Sequence, residues 1–105
     1  MVNEILTAAG VHHKPARFPD PPATTYAVYF DSKSAGGADG YNLVFTHDAM
    51  VELYAPVVDE AVATAIESEL DARGLSYERQ GWYWLDSIKR YQDIYEFTYI
   101  EKRRA

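Results

Sequence analysis

The chain contains no cysteine, and this absence removes several kinds of chemistry at once. Without thiols there is no disulfide framework, no thiolate zinc site, no iron–sulfur cluster and no cysteine nucleophile. Long apolar runs are also lacking, because no stretch approaches the ~20 residues of a membrane helix. Residues 1–10 have neither the basic start nor the apolar segment of a secretory signal. These features predict a cytoplasmic protein without a membrane partner.

Basic residues are fewer than acidic ones. Lysine and arginine number 10 against 16 aspartates and glutamates, and the formal net charge of −6 opposes binding to nucleic-acid phosphates. Residues 46–72 carry seven acidic side chains and no lysine or arginine, whereas the last residues include Lys102, Arg103 and Arg104. With 105 residues, the sequence has room for about one domain, which we place at 1–105.

Two segments have helical periodicity. Val2–Ala9 is followed by Gly10 and Val58–Arg73 by Gly74, and glycine commonly ends a helix. In the longer segment, small and branched apolar residues recur along one side, as they do in a helix that packs on a core. Glu69 falls inside this apolar side, either because it contacts another copy or because the helix end leaves the core.

The rest of the chain alternates apolar and polar residues in the way that strands do. The predicted strands cover residues 13–18, 24–31, 41–54, 75–79, 82–85 and 91–100. Ser32–Gly40 contains three glycines and is predicted to be a mobile loop or hairpin tip, and the long strand 41–54 is expected to have a bulge or bend near His47 and Asp48. This order predicts the α+β class, with an antiparallel or mixed sheet, a short N-terminal helix and one long helix packed on one face.

The residues that commonly carry catalysis form no recognisable constellation. His12 and His13 are adjacent and point to opposite faces of a strand, and His47 has no partner histidine at a metal-binding spacing. Glu67 and Asp71 form an i,i+4 pair that we expect to face solvent rather than a substrate. We therefore expect no metal, no cofactor and no enzymatic activity. A small hydrolase or nuclease that depends on His13 or His47 is the alternative.

Tyrosine is abundant, with nine residues that all fall on predicted strands and none in either predicted helix. Both faces of several strands carry tyrosine, so a single buried core does not account for all nine. The segment Trp82–Trp84 lies near Arg79, Lys89 and Arg90, and aromatic residues interleaved with basic ones stack on single-stranded nucleic acid in some proteins. The acidic balance favours the other interpretation, a sheet that contacts a protein partner.

The segregation of charge along the chain predicts self-association. A basic tail that leaves the last strand would reach the acidic helix of a neighbouring copy. A contact between two different surfaces of identical subunits repeats from copy to copy and forms a ring or a filament. A disordered, solubilising tail is the alternative. The candidate subunit-interface residues are Asp39, Glu52, Tyr54, Glu69, Tyr95, Lys102, Arg103 and Arg104.

Several pieces of the chain, taken in their order and spacing, resemble a known family. They are the strand Tyr26–Phe30, the loop end Gly37–Tyr41, the segment His47–Tyr54, the helix part Ile66–Leu70 followed by Gly74 and Tyr77, and the segment Tyr91–Phe97. With these pieces, the chain from Tyr26 onward resembles the tail terminator, or tail completion, proteins of long-tailed bacteriophages and prophages.

This resemblance implies a structural virion protein without catalytic or cofactor residues. Members of that group are α+β subunits of a ring, commonly hexameric, that ends the growth of the tail tube and joins tail to head. The implied partners are other copies of the chain, the tail tube protein and the head connector protein, with DNA only passing through the ring. The implied location is the virion tail, assembled in the host cytoplasm. A small interaction or regulatory module, such as an antitoxin, and a nucleic-acid-binding protein are the alternatives.

Overall fold

The computed structural model of the protein describes residues 1–36 and 42–104. It contains helices α1 (Val2–Ala9) and α2 (Glu60–Ala72) and strands β1 (His12–Pro15), β2 (Tyr26–Gly36), β3 (Asn42–Ala55), β4 (Tyr77–Arg79), β5 (Tyr83–Leu85) and β6 (Arg90–Arg104). The α+β class is confirmed, and the helices lie close to their predicted bounds.

The strands form one mixed sheet in the order β1-β2-β3-β6-β4, and β5 also pairs with β6. Strand β1 runs parallel to β2, and the other pairs are antiparallel. Both helices pack on one face of the sheet, as predicted, and within residues 1–36 and 42–104 no helix packs on the other face. Neither helix of these residues is long and apolar enough to cross a membrane.

The core lies between the helices and the odd-numbered residues of β2, β3 and β6. Ile5 of α1 and Ile66 of α2 are fully buried against Val51, Leu53 and their neighbours. Burial of each such side chain contributes about 1.5–3 kcal/mol. The even-numbered residues of these three strands point the other way, because side chains alternate along a strand. The sheet thus has a helix face and, on its other side, an open face.

Strand β2 is longer than the sequence predicted. Ser32–Gly36, predicted to belong to a loop, continues β2 and pairs with residues 44–48 of β3, while the remainder of that loop lies outside the described residues. The expected bulge near His47 is also wrong, because the register runs without interruption from Asn42 to Ala55 against β6. His47 fits a regular strand since hydrogen bonds to both flanking strands hold its side chain.

The C-terminal basic residues belong to β6 and do not form a tail. Residues 102–104 pair with residues 44–42 of β3. The prediction of a basic tail that leaves the last strand is therefore wrong. The physical reason is the 14-residue length of β3, which offers β6 a pairing partner as far as Arg104.

Helix α2 buries Ile66 and Leu70 of the predicted apolar side, and Ala63, outside that side, is buried as well. Glu67, predicted to face solvent, follows Ala63 by one turn and points to the sheet, where it binds three side chains. The side chain of Asp59 accepts a hydrogen bond from the Val62 amide at 3.1 Å and caps the start of the helix.

Candidate functional site

The open face of the sheet presents large apolar side chains to solvent. Phe30 of β2 is 42% exposed and Ile100 of β6 is 54% exposed. A groove of about 990 Å³ crosses this face beside Phe30, Met50 and Thr98. Exposed apolar surface bordered by polar residues marks sites where a domain contacts another protein.

A chain of hydrogen bonds fixes the aromatic end of the open face. The hydroxyl of Tyr83 donates to the side-chain oxygen of Gln92, whose Nε2 donates to the Tyr54 hydroxyl at 2.9 Å. That hydroxyl in turn donates to Glu52 at 3.1 Å, and the Tyr26 ring stacks on the Tyr54 ring at 5.2 Å between centroids. Burial and the neighbouring Glu52 charge raise the pKa of Tyr54 to about 12, so its hydroxyl stays a donor at neutral pH. The result is an ordered aromatic surface.

Acidic side chains form a band across the middle of the open face. Glu78 of β4 and Glu96 of β6 stand directly opposite each other, although like charges at such positions are unfavourable. Asp48 extends the band and accepts a hydrogen bond from Thr98 at 3.0 Å. Since this band repels phosphate, the open face does not favour the nucleic-acid alternative.

Three of the eight predicted interface residues share the open face. Glu52, Tyr54 and Lys102 occupy even positions of β3 and β6, with Lys102 at the far end of β6 from the aromatic residues. Arg103 and Arg104 belong to the same end of β6, opposite residues 43 and 42. Asp39 lies outside the described residues.

Two other predicted interface residues lie away from the open face. The prediction for Tyr95 is wrong, because its side chain is fully buried on the helix face and its hydroxyl donates to Glu67 at 2.5 Å. Tyr95 therefore belongs to the core of the subunit itself. Glu69 lies on α2, in the other layer, where it forms an ion pair with Arg73 at 3.2 Å.

An ion-pair network joins β4, β6 and α2 on the helix face. The guanidinium of Arg79 donates to Asp93 at 2.7 Å, to Glu67 at 2.9 Å and to Glu60 at 2.9 Å. Asp93 is completely buried, and its second oxygen accepts bonds from the amides of Gly81 and Ile94, each at 2.9 Å.

This ion-pair network acts as a structural clamp, which means that it holds β4, β6 and α2 together. Burial lowers the pKa of Arg79, but the hydrogen bonds with Glu60 and Asp93 outweigh this effect and raise it. Burial and the bond to Glu67 likewise raise the pKa of Tyr95. The guanidinium thus stays charged and the phenol neutral at neutral pH, which fixes donors and acceptors in one arrangement.

A second polar cluster crosses three strands at the other end of the helix face. His47 of β3 lies between two carboxylates, with Nδ1 at 2.6 Å from Asp31 of β2 and Nε2 at 2.7 Å from Glu101 of β6. The Tyr99 ring stacks on the imidazole at 4.3 Å between centroids, and its hydroxyl donates to Asp31. Both ring nitrogens donate to carboxylates only when the imidazole carries its second proton.

The pKa values in this cluster agree with a charged imidazole. Burial lowers the pKa of His47, but the hydrogen bonds and charges of Asp31 and Glu101 outweigh it, so the pKa is raised above 6.5. Burial, the bond to Asp31 and nearby negative charges, including that of Glu4 on α1, raise the pKa of Tyr99. Sequence reasoning missed this cluster because its members lie 16 and 54 residues from His47.

The charged side chains of the Arg79 network and of the His47 cluster bind one another. The two nitrogens of His47 each bind a carboxylate, which leaves neither available to take a proton from a substrate. Among residues 1–36 and 42–104, no group of three or more histidine, aspartate and glutamate side chains is arranged to hold a metal ion. The open face is therefore the surface on which we base a function.

No protein-family model matches this chain, and a search of curated proteins finds no significant match.

Proposed function

We propose that this protein is a tail terminator, or tail completion, subunit of a phage or prophage. Copies of the chain form a ring, commonly hexameric in the group that it resembles, at the head-proximal end of the tail tube, and the ring joins tail to head. The observation that carries this proposal is the open face. In a domain of 105 residues, no helix of the described residues covers this side of the sheet, and its aromatic, apolar and acidic side chains are available for contact with other proteins.

The charge of the protein supports the same proposal. Double-stranded DNA passes through such a ring on its way from head to tail, and a lumen that attracted phosphates would hold it. A net charge of −6 and the acidic band of the open face repel phosphates instead. The partners are then the tail tube protein and the head connector protein, and the protein resides in the virion tail after assembly in the host cytoplasm.

This function predicts that the protein limits the growth of tail tubes. When it is added to the polymerising tail tube protein of the same phage, electron micrographs should show shorter tubes with a ring at one end. Glu96→Lys, which reverses a charge in the acidic band, should weaken this capping at least tenfold, whereas Glu4→Lys, at an exposed position of α1, should leave it unchanged. Tubes of unchanged length and bare ends would contradict the proposal.

The aromatic end of the open face also fits a regulatory interaction module, since Tyr83, opposite Gln92, is 44% exposed there. In that case the protein would form a stable complex of defined stoichiometry with a neighbouring gene product and no larger ring. Sedimentation velocity of the mixture separates the two functions, because a ring of identical subunits sediments as one large species without the partner.

A further inference from the structure

Strands β2, β3 and β6 extend beyond the rest of the sheet as a three-stranded ribbon, formed by residues 30–36, 42–50 and 98–104. Strand β1 pairs with β2 only as far as Tyr29, and β4 pairs with β6 only as far as Phe97. Within the described part of the chain, residues 30–36 and 98–104 are therefore paired on one side alone. The ribbon thus has two edges of equal length that pair with no further strand of the described residues.

Free edges of this length are unusual in a protein that stays a monomer. They display backbone donors and acceptors that another strand can pair with, and monomeric proteins cover, shorten or bend such strands. Here the side chains from Phe30 to Ala35 are all exposed, and Ile100 on the other edge is 54% exposed. The His47 cluster holds the three strands together at this point, since it links Asp31 of β2 to Glu101 of β6.

The strand directions determine how two ribbons can meet. Because β2 and β6 are each antiparallel to β3, they run parallel to each other within one subunit. When a second copy has the same orientation as the first, its residues 30–36 can therefore pair with residues 98–104 of the first copy as parallel strands. Residues 98–104 of the second copy can then pair with a third copy in the same way. The contact therefore repeats from copy to copy and closes into a ring.

Charge favours this pairing of unlike edges over the pairing of two β6 edges. Residues 98–104 carry Lys102, Arg103 and Arg104 against a single acid, so two β6 edges would place six basic residues together. Residues 30–36 carry one acid and one base and have no net charge. An edge of this composition accepts the basic edge without repulsion.

We propose that copies of this chain join edge to edge, with residues 30–36 of one copy added to residues 98–104 of the next, so that the ribbons form one continuous sheet around the ring. This inference rests on the proposed function, and it names the surface through which the ring forms. The open face is then left for the tail tube and the connector.

The absence of cysteine allows a direct test by disulfide cross-linking. Ser34 and Ile100 both face the open side and both lie opposite Thr46 of β3, so in the unshifted register cysteines at these positions of neighbouring copies come within disulfide distance. The variant Ser34→Cys/Ile100→Cys, oxidised after assembly, should give a ladder of cross-linked species up to the ring on a non-reducing gel. Ser32→Cys/Ile100→Cys tests the adjacent register, and Ser68→Cys/Ile100→Cys, with Ser68 exposed on α2, is the control, which should assemble but give no cross-linked species on the gel.

The outcomes separate the edge contact from the proposed function. A ladder in either register, with circular dichroism and melting like those of the unmodified protein, supports the edge contact. Dimers from Ile100→Cys alone would show two β6 edges meeting and would overturn it. A ring seen by native mass spectrometry in both double variants, but without cross-links, would overturn the edge contact and leave the ring intact. A monomer under all conditions would overturn both.

Discussion

Replacement of Arg79 by alanine is expected to lower the free energy of unfolding by about 3–5 kcal/mol. Asp93 is fully buried, and without the guanidinium its charge has no cationic partner in contact. Glu67, which faces the same point, would add repulsion. Urea denaturation followed by circular dichroism, at a protein concentration below that of assembly, measures the loss.

Two further variants show whether the ion pairs cause this loss. Arg79→Met keeps most of the apolar stem but removes the guanidinium, whose carbon lies 5.6 Å from the centre of the Tyr95 ring, so it should be destabilised by a similar amount. Arg73→Ala removes an i,i+4 pair with Glu69 on α2 and should cost only about 0.5 kcal/mol. A loss below about 1 kcal/mol for both Arg79 variants would show that the network is not a clamp.

The protein is expected to lose stability as the pH rises through the raised pKa of His47. The imidazolium contributes fully below the pKa of an unfolded histidine, about 6.5, and its contribution disappears above the higher pKa of the folded protein. Hydrogen bonds to charged groups contribute about 1.5–3 kcal/mol each. His47→Gln should therefore cost about 2 kcal/mol at pH 6 and much less at pH 9.

The pH dependence of the variants identifies the group responsible. Unfolding free energies of the unmodified protein and of His47→Gln should converge as the pH rises, whereas His12→Gln, on the exposed edge strand, should follow the unmodified protein throughout. Lys33 and Glu4 also lie near this cluster and are unchanged in both variants. Equal losses for His47→Gln at pH 6 and pH 9 would contradict the charged imidazolium.

Local patterns predicted the elements well, because each depends on residues close in sequence. The glycines at positions 10 and 74 have positive φ angles of 75° and 68° and end both helices as expected. Alternation in β3 and β6 placed Glu52 and Tyr54 together, since residues two apart share a face. The same alternation does not say which face is buried, and for this reason Tyr95 was wrongly expected on the surface.

Contacts between strands depend on register, which the sequence does not display. Asp31, His47 and Glu101 meet only because the β2–β3 and β3–β6 ladders align them. The ladder also overrides the loop preference of Ser32–Gly36, whose small polar residues have little strand propensity of their own. One signal was present for the ion-pair network, since Asp93 sits on a strand face otherwise made of aromatic residues.

The mass of the assembled protein tests the central proposal most directly. Native mass spectrometry at 10 to 100 micromolar, about the range where weak ring contacts form, should detect one closed species, with a mass near six times the 11.9 kDa of the chain. Electron micrographs of the same sample should show rings. A strict monomer over that range, both alone and with the tail tube protein, would contradict the account.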